Sequence, residues 1–169
     1  MEFSVTKSGL MRCIFTVRFE TAIQSPAPMN PHLIQGGRQV DERGSVSFVN
    51  GFDFKGVDRF YWIQAGQPNV PRGWVGHQRE HKWFGVVHGE VLIAVVRPDS
   101  WRCPRRDLAV ARYALSAAHP QVLHVLPGHA TGSVHLTPEA ILMIFSSGRI
   151  EDAPSDDFRF PIEHWPIQS

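Results

Sequence analysis

A chain of 169 residues with 43% apolar content is about one domain long and can bury a core of ordinary size. Its 17 basic and 16 acidic residues leave a formal charge of +1, which argues against nucleic acid as the partner. A small anionic ligand would still need only two or three well-placed cations. The two cysteines, Cys13 and Cys103, form no CxxC or Cys/His zinc spacing. This points away from a disulfide framework and towards a reducing, cytoplasmic setting.

In chain order, Lys7 and Arg12 lie in the first segment, but Arg18, Glu20 and Thr21 interrupt any apolar core. Neither a signal peptide nor a membrane span is expected there, and no membrane partner. Ser25-Pro26-Ala27-Pro28 reads as a break. Residues 1–28 are therefore read as an N-terminal extension or an extra strand, and residues 29–169 as the main domain. From Leu33 onward, short apolar runs alternate with Gly, Pro, Asp and Asn. The β-branched and aromatic runs Ser45–Val49, Arg59–Ile63, Trp83–Val87, Glu90–Val96, Arg112–Leu115, Gln121–Leu126 and Ala140–Phe145 predict strands. His88-Gly89 and Pro127-Gly128 mark turns, and Asp99–Asp107 reads as a polar surface loop. No sustained helical period appears, so the fold class is all-β, a sandwich or closed barrel. The aromatic tail Phe158–Trp165 is expected to pack its rings on that barrel.

The stretch Arg72-Gly73-Trp74-Val75-Gly76-His77, running through Glu80 and Lys82 to Gly89, carries the chemistry. On a strand, Val75 and His77 share a face, as do Glu80 and Lys82 if the strand runs on. The spacing resembles the first cupin motif, with Val75, His77 and Lys82 at three of its ligand positions. The second motif resembles Pro127-Gly128-His129-Ala130-Thr131, with Thr131 at the ligand position. Of four metal-ligand positions only His77 holds a ligand-type side chain, and an ammonium at Lys82 repels a cation. No metal is expected.

From about Met29 onward the sequence is similar to the dTDP-4-dehydrorhamnose 3,5-epimerase and sugar 3,4-ketoisomerase branch of the cupins. The carrying residues are Asp41-Glu42-Arg43-Gly44-Ser45, Val57–Tyr61, Arg72–His77, Lys82, Gly89-Glu90-Val91, Pro127-Gly128, Asp157–Pro161 and Trp165. The resemblance implies a jelly-roll barrel with few short helices. It also implies a dTDP-linked 4-keto-6-deoxy sugar as ligand and a homodimer that exchanges N-terminal strands. Deoxysugar or cell-surface polysaccharide synthesis would be the setting. The implied chemistry removes a proton beside the C4 ketone and returns one to the other face, with no cofactor because the ketone acidifies its neighbour. Such a site needs a base, a donor to the enolate oxygen and an opposing acid. The sequence departs from the pattern at two points: Val75 stands where the epimerases carry their histidine base, and Phe145 is the nearest match to their tyrosine acid.

His77 therefore reads as the surviving base or as a barrel-lining histidine. Lys82 reads as the enolate-stabilising cation or as a rim ion pair with Glu80 or Glu90. Arg43 and Arg72 are the expected diphosphate ligands, since a guanidinium offers two parallel donors to phosphate oxygens. Arg59 either joins them or pairs with Asp58 or Asp53. Tyr61 and Trp74 can stack on thymine or sugar, or serve the core. His129 can line the pocket beside the second bend, and Glu80 is an orienting carboxylate or a surface ion pair. Three functions follow: a sugar-nucleotide epimerase or ketoisomerase, a catalytically inactive sugar-nucleotide binder or partner subunit, and, disfavoured by Lys82 and Thr131, a metal-dependent oxygenase.

Overall fold

The computed structural model describes residues 30–168; the expected N-terminal extension or extra strand lies outside the described residues. Twelve strands follow in order: β1 His32–Gln35, β2 Gly37–Asp41, β3 Gly44–Phe48, β4 Arg59–Gln64, β5 Pro71–His77 and β6 Lys82–His88 come first. Then come β7 Glu90–Val96, β8 Val110–Ser116, β9 Gln121–Val125, β10 His129–His135, β11 Ile141–Ser146 and β12 Phe158–Arg159. A 3₁₀ helix, Ile150–Ser155, precedes β12. Among the described residues no helix is long and apolar enough to cross a membrane.

Two five-stranded antiparallel sheets face each other, ordered β1-β9-β6-β11-β4 and β12-β5-β10-β7-β8, and β2 and β3 form a separate hairpin. The fold is an all-β jelly-roll, as expected. The two turns read from sequence are corners between sheets: Gly89 (φ +69°) passes the chain from β6 to β7, and Gly128 (φ +86°) from β9 to β10. Positive φ is what glycine tolerates and other residues resist.

The unbroken apolar run of β7 has a physical cause. Val91, Ile93 and Val95 point into the barrel, among Phe84, Leu123 and Leu142. Ala94 and Val96 point the other way, into a second core with Trp74, Val134 and Trp165. A strand covered on both faces needs no polar alternation. β4 shows the contrary case: Arg59, Tyr61 and Ile63 face inward, while Phe60 and Trp62 are exposed.

The second core exists because the C-terminal tail lies over the outside of the second sheet. Trp165 meets Trp74 edge-on at 5.4 Å between ring centroids. Its Nε1–H donates to the Arg105 carbonyl at 2.9 Å. Trp165 is fully buried, so Trp165→Ala should cost about 3–5 kcal/mol through lost burial and the cavity left behind. Urea unfolding measures this, and a midpoint shift of under about 1 kcal/mol would mean the tail is dispensable.

Candidate active site

A cavity of about 630 Å³ opens between the two sheets, a volume suited to a small-molecule ligand. Arg59 and Tyr61 of β4 and Lys82 of β6 line the first wall. Arg72, Val75 and His77 of β5, with Thr131 of β10, line the second. The tail closes one side with Asp157, Arg159 and Phe160.

Strand alternation would place Arg72 and Val75, three residues apart, on opposite faces. A β-bulge resolves this: Arg72 pairs with Ser133 and Val75 with Thr131, so Gly73 and Trp74 together face Gly132. The extra residue turns Arg72, Val75 and His77 all towards the cavity. Gly73 is required there, with φ +126°; a Cβ would lie 2.7 Å from Gly132 Cα.

The same bulge sends Trp74 to the other side of the sheet. Its indole is buried in the second core and donates to the Trp165 carbonyl at 3.1 Å. The expectation that Trp74 stacks on a ligand is therefore corrected, because the ring is committed to packing. Arg43 is corrected as well. It sits at the exposed tip of the β2–β3 hairpin, paired to Asp41 at 2.6 Å, and does not line the cavity of its own chain. His129 adjoins His77 in the ladder, but its ring is buried with Nδ1 2.9 Å from the Leu126 carbonyl, and it too is absent from the lining. Phe145 points outward into a cluster with Phe52, Phe54 and Phe60, so it is no counterpart of an inward-facing acid.

β5 ends at His77, so Glu80 lies in the loop before β6 and not on a continuing strand. It is buried, not at the rim. His77 Nδ1 lies 3.0 Å from Glu80 Oε2. Oε1 accepts from Lys82 Nζ at 2.7 Å, from Arg59 Nη2 at 3.2 Å and from the Ser146 hydroxyl. Arg59 thus pairs with Glu80, not with Asp58 or Asp53, and its Nε donates to the Gly148 carbonyl at 2.7 Å. Lys82 is buried; desolvation lowers its pKa, and the bond to Glu80 opposes that shift. Tyr61 lies beside both cations, 5.7 Å from Lys82 Nζ and 5.4 Å from Arg59 Cζ to the ring centroid. Burial raises its pKa, so the phenol keeps its proton.

The tail contributes residues to which the sequence gives no role in the site. The Asp156 carboxylate accepts the backbone N–H groups of Gln78, Arg79 and Glu80 at 2.9, 3.1 and 3.1 Å, which fixes the loop. Its carbonyl accepts from His77 Nδ1 at 2.8 Å. Arg159 lines the cavity and donates to Asp157 Oδ2 at 2.7 Å. Asp157 Oδ1 is buried with no donor among the described residues. The signal for these residues was the Asp-Asp-Phe-Arg run, which pairs β12 against β5 at Phe158↔Gly76 and Arg159↔Val75.

Among the described residues, His77, Glu80 and Asp156 form the single grouping with metal-ligand spacing. It does not suit a cation. Glu80 is already paired with both Lys82 and Arg59, and both oxygens of Asp156 are taken by amide hydrogens. Arg59, Arg72, Lys82 and Arg159 outnumber Glu80 and Asp157, so the cavity favours an anion.

Burial alone would raise the pKa of Glu80, but the hydrogen bonds from His77 and Lys82 bring it down from 4.5 to about 2. A carboxylate with a depressed folded-state pKa contributes stability above its unfolded value, and that contribution is lost as pH falls. The wild-type protein should therefore lose stability between pH 4.5 and about 2 more steeply than Glu80→Gln. Denaturant midpoints at stepped pH check this, and parallel curves would count against the network.

Neither a protein-family model nor a curated protein matches the chain. Solved structures do. A double mutant of the QdtA 3,4-ketoisomerase from Thermoanaerobacterium thermosaccharolyticum, in complex with TDP, is 21% identical with a TM-score of 0.61. That match covers 79% of this chain and 89% of the other. The Mycobacterium tuberculosis rmlC epimerase is 19% identical at a TM-score of 0.61, over 79% and 70% of the two chains. ChmJ, a 3'-monoepimerase from Streptomyces bikiniensis in complex with dTDP-quinovose, is 17% identical at 0.61, over 76% and 68%. The protein shares the jelly-roll fold of these ketoisomerase and epimerase structures.

Proposed function

We propose that this protein binds a dTDP-linked 4-keto-6-deoxy sugar and isomerises or epimerises it by cofactor-free proton transfer beside the ketone. The observation that carries this reading is the pairing, in one cation-rich cavity, of His77 on one wall with Lys82 and Tyr61 on the facing wall. In the proposed step His77 takes the proton from the carbon next to the C4 ketone. The electron pair moves onto the ketone oxygen, where Lys82 stabilises the enolate. The Tyr61 hydroxyl then returns a proton from the opposite side, a role that sequence alone had left vacant at Phe145. Arg72 and Arg159 hold the diphosphate, for which paired guanidinium donors are suited. The likeness to ketoisomerases and epimerases solved with TDP or a dTDP-sugar supports the ligand class.

One observation favours a second reading, a sugar-nucleotide binder without turnover: Val75 lines the wall where the similar epimerases are expected to carry their base. Heavy-water NMR separates the two. With dTDP-4-keto-6-deoxyglucose, deuterium should enter beside the ketone, and His77→Ala should slow this by about 100-fold or more. Binding shifts without exchange would leave the binder. Arg72→Ala should weaken dTDP binding roughly 10- to 100-fold, as loss of charge-assisted phosphate bonds does.

The proposed assembly is a homodimer. Phe54, Phe60 and Trp62 are 66%, 59% and 62% exposed, β4 is an edge strand, and the β2–β3 hairpin stands off the barrel. An apolar face of this kind is ordinarily covered, and a second copy would bring Arg43 to a neighbouring cavity. Trp62→Glu should shift the protein to a monomer in size-exclusion chromatography with light scattering. A wild-type monomer would end the proposal.

A further inference from the structure

We propose that Glu80 is the positioning residue of this site: one buried carboxylate that holds the His77 imidazole and the Lys82 ammonium at a fixed separation across the two walls. The inference rests on the reading of His77 and Lys82 as base and oxyanion donor. Both carboxylate oxygens are committed to donors. Oε2 faces His77 Nδ1 at 3.0 Å, while Oε1 takes Lys82 Nζ at 2.7 Å, Arg59 Nη2 at 3.2 Å and the Ser146 hydroxyl. A carboxylate is acceptor-only, whereas an amide would turn an N–H towards one of these donors.

The consequence for His77 is a defined tautomer. Its Nδ1 lies between two acceptors, Glu80 Oε2 and the Asp156 carbonyl at 2.8 Å. Nδ1 therefore carries the proton, and Nε2 keeps its lone pair for the substrate. When that nitrogen takes a proton, the imidazolium is already in contact with a counter-charge, as in other carboxylate–histidine pairs. Burial lowers the pKa of Lys82, and the hydrogen bond to the same carboxylate opposes that shift. The groups facing Glu80 come from every element around it: Arg59 from β4, His77 from β5, Lys82 from β6, Ser146 from β11 and Asp156 from the tail. The surrounding backbone is shaped to admit it. A Cβ at Gly148 would lie 2.6 Å from Glu80 Cδ, and the Glu80 N–H is bound by Asp156 at 3.1 Å.

The test has a kinetic and a substrate-independent arm. Glu80→Gln should lower kcat for exchange by about 100-fold, with KM and dTDP affinity within about threefold, since the interaction acts on the reacting groups. His77→Ala/Glu80→Gln should be no slower than His77→Ala, because both changes remove one function. Equal loss of dTDP binding, or a double variant slower by the full product of the single effects, overturns the proposal. In the substrate-independent arm, ¹⁵N imidazole NMR of the wild-type protein should show the Nδ1–H tautomer at His77. An Nε2–H tautomer overturns the arrangement, and this readout stands if Glu80→Gln does not fold. Wild-type protein that binds dTDP yet exchanges no proton sinks the reaction, while the tautomer still decides the place of Glu80.

Discussion

Burying an ionised carboxylate costs several kcal/mol unless donors compensate it. Glu80 meets that condition with side chains from four separate strands, β4, β5, β6 and β11, and these strands belong to both sheets. The arrangement is stringent. Removing any one donor leaves the others poorly balanced in a medium of low dielectric. The polar wall of the cavity is thus fixed by charge, while Phe84, Ile93, Leu142 and Ile144 make another part of its lining apolar.

The tail ties these two regimes together. It buries Trp165 against the outside of the second sheet, and from the same segment Asp156 reaches the loop that carries Glu80. A tail displaced from the sheet would release three backbone N–H groups and one of the two acceptors on His77. Fold stability and site geometry therefore depend on the same segment, Asp156 to Trp165.

Much of the architecture was legible because it rests on local patterns. Strand runs such as Glu90–Val96 and the sheet-changing turns at Gly89 and Gly128 need only neighbours in sequence to be recognised. The errors share a different cause. Of the two roles open to Trp74 the core one holds, and the bulge at Gly73–Trp74 that lets Arg72 join Val75 and His77 on the cavity face has no local signal. For Glu80 the sequence leaves an orienting carboxylate and a surface ion pair both open, because the partners that bury it, Arg59 and Ser146, lie 21 and 66 positions away. Arg159 was noticed as part of a family signature but not as a cavity residue, since its place depends on β12 pairing with β5. Arg43 matched a motif whose geometry, within one chain, points away from the cavity.

The exchange of Val75 for an imidazole two residues on is more than a substitution of equivalent positions. Residues i and i+2 share a face but stand about 6–7 Å apart along a strand. A base moved that far cannot serve a sugar held where the similar epimerases would hold theirs. Either the sugar ring sits further towards the 78–80 loop, or its ring presents a different carbon to the base. Lys82 bears on the choice, because it and His77 are joined through the one Glu80 carboxylate. Lys82 is one of the residues that carry the resemblance, so in the proposed reaction the base is displaced and the oxyanion donor is not. The proposed chemistry then needs His77 to work against a carbonyl held at Lys82, and one buried carboxylate in contact with both groups is what keeps their separation fixed.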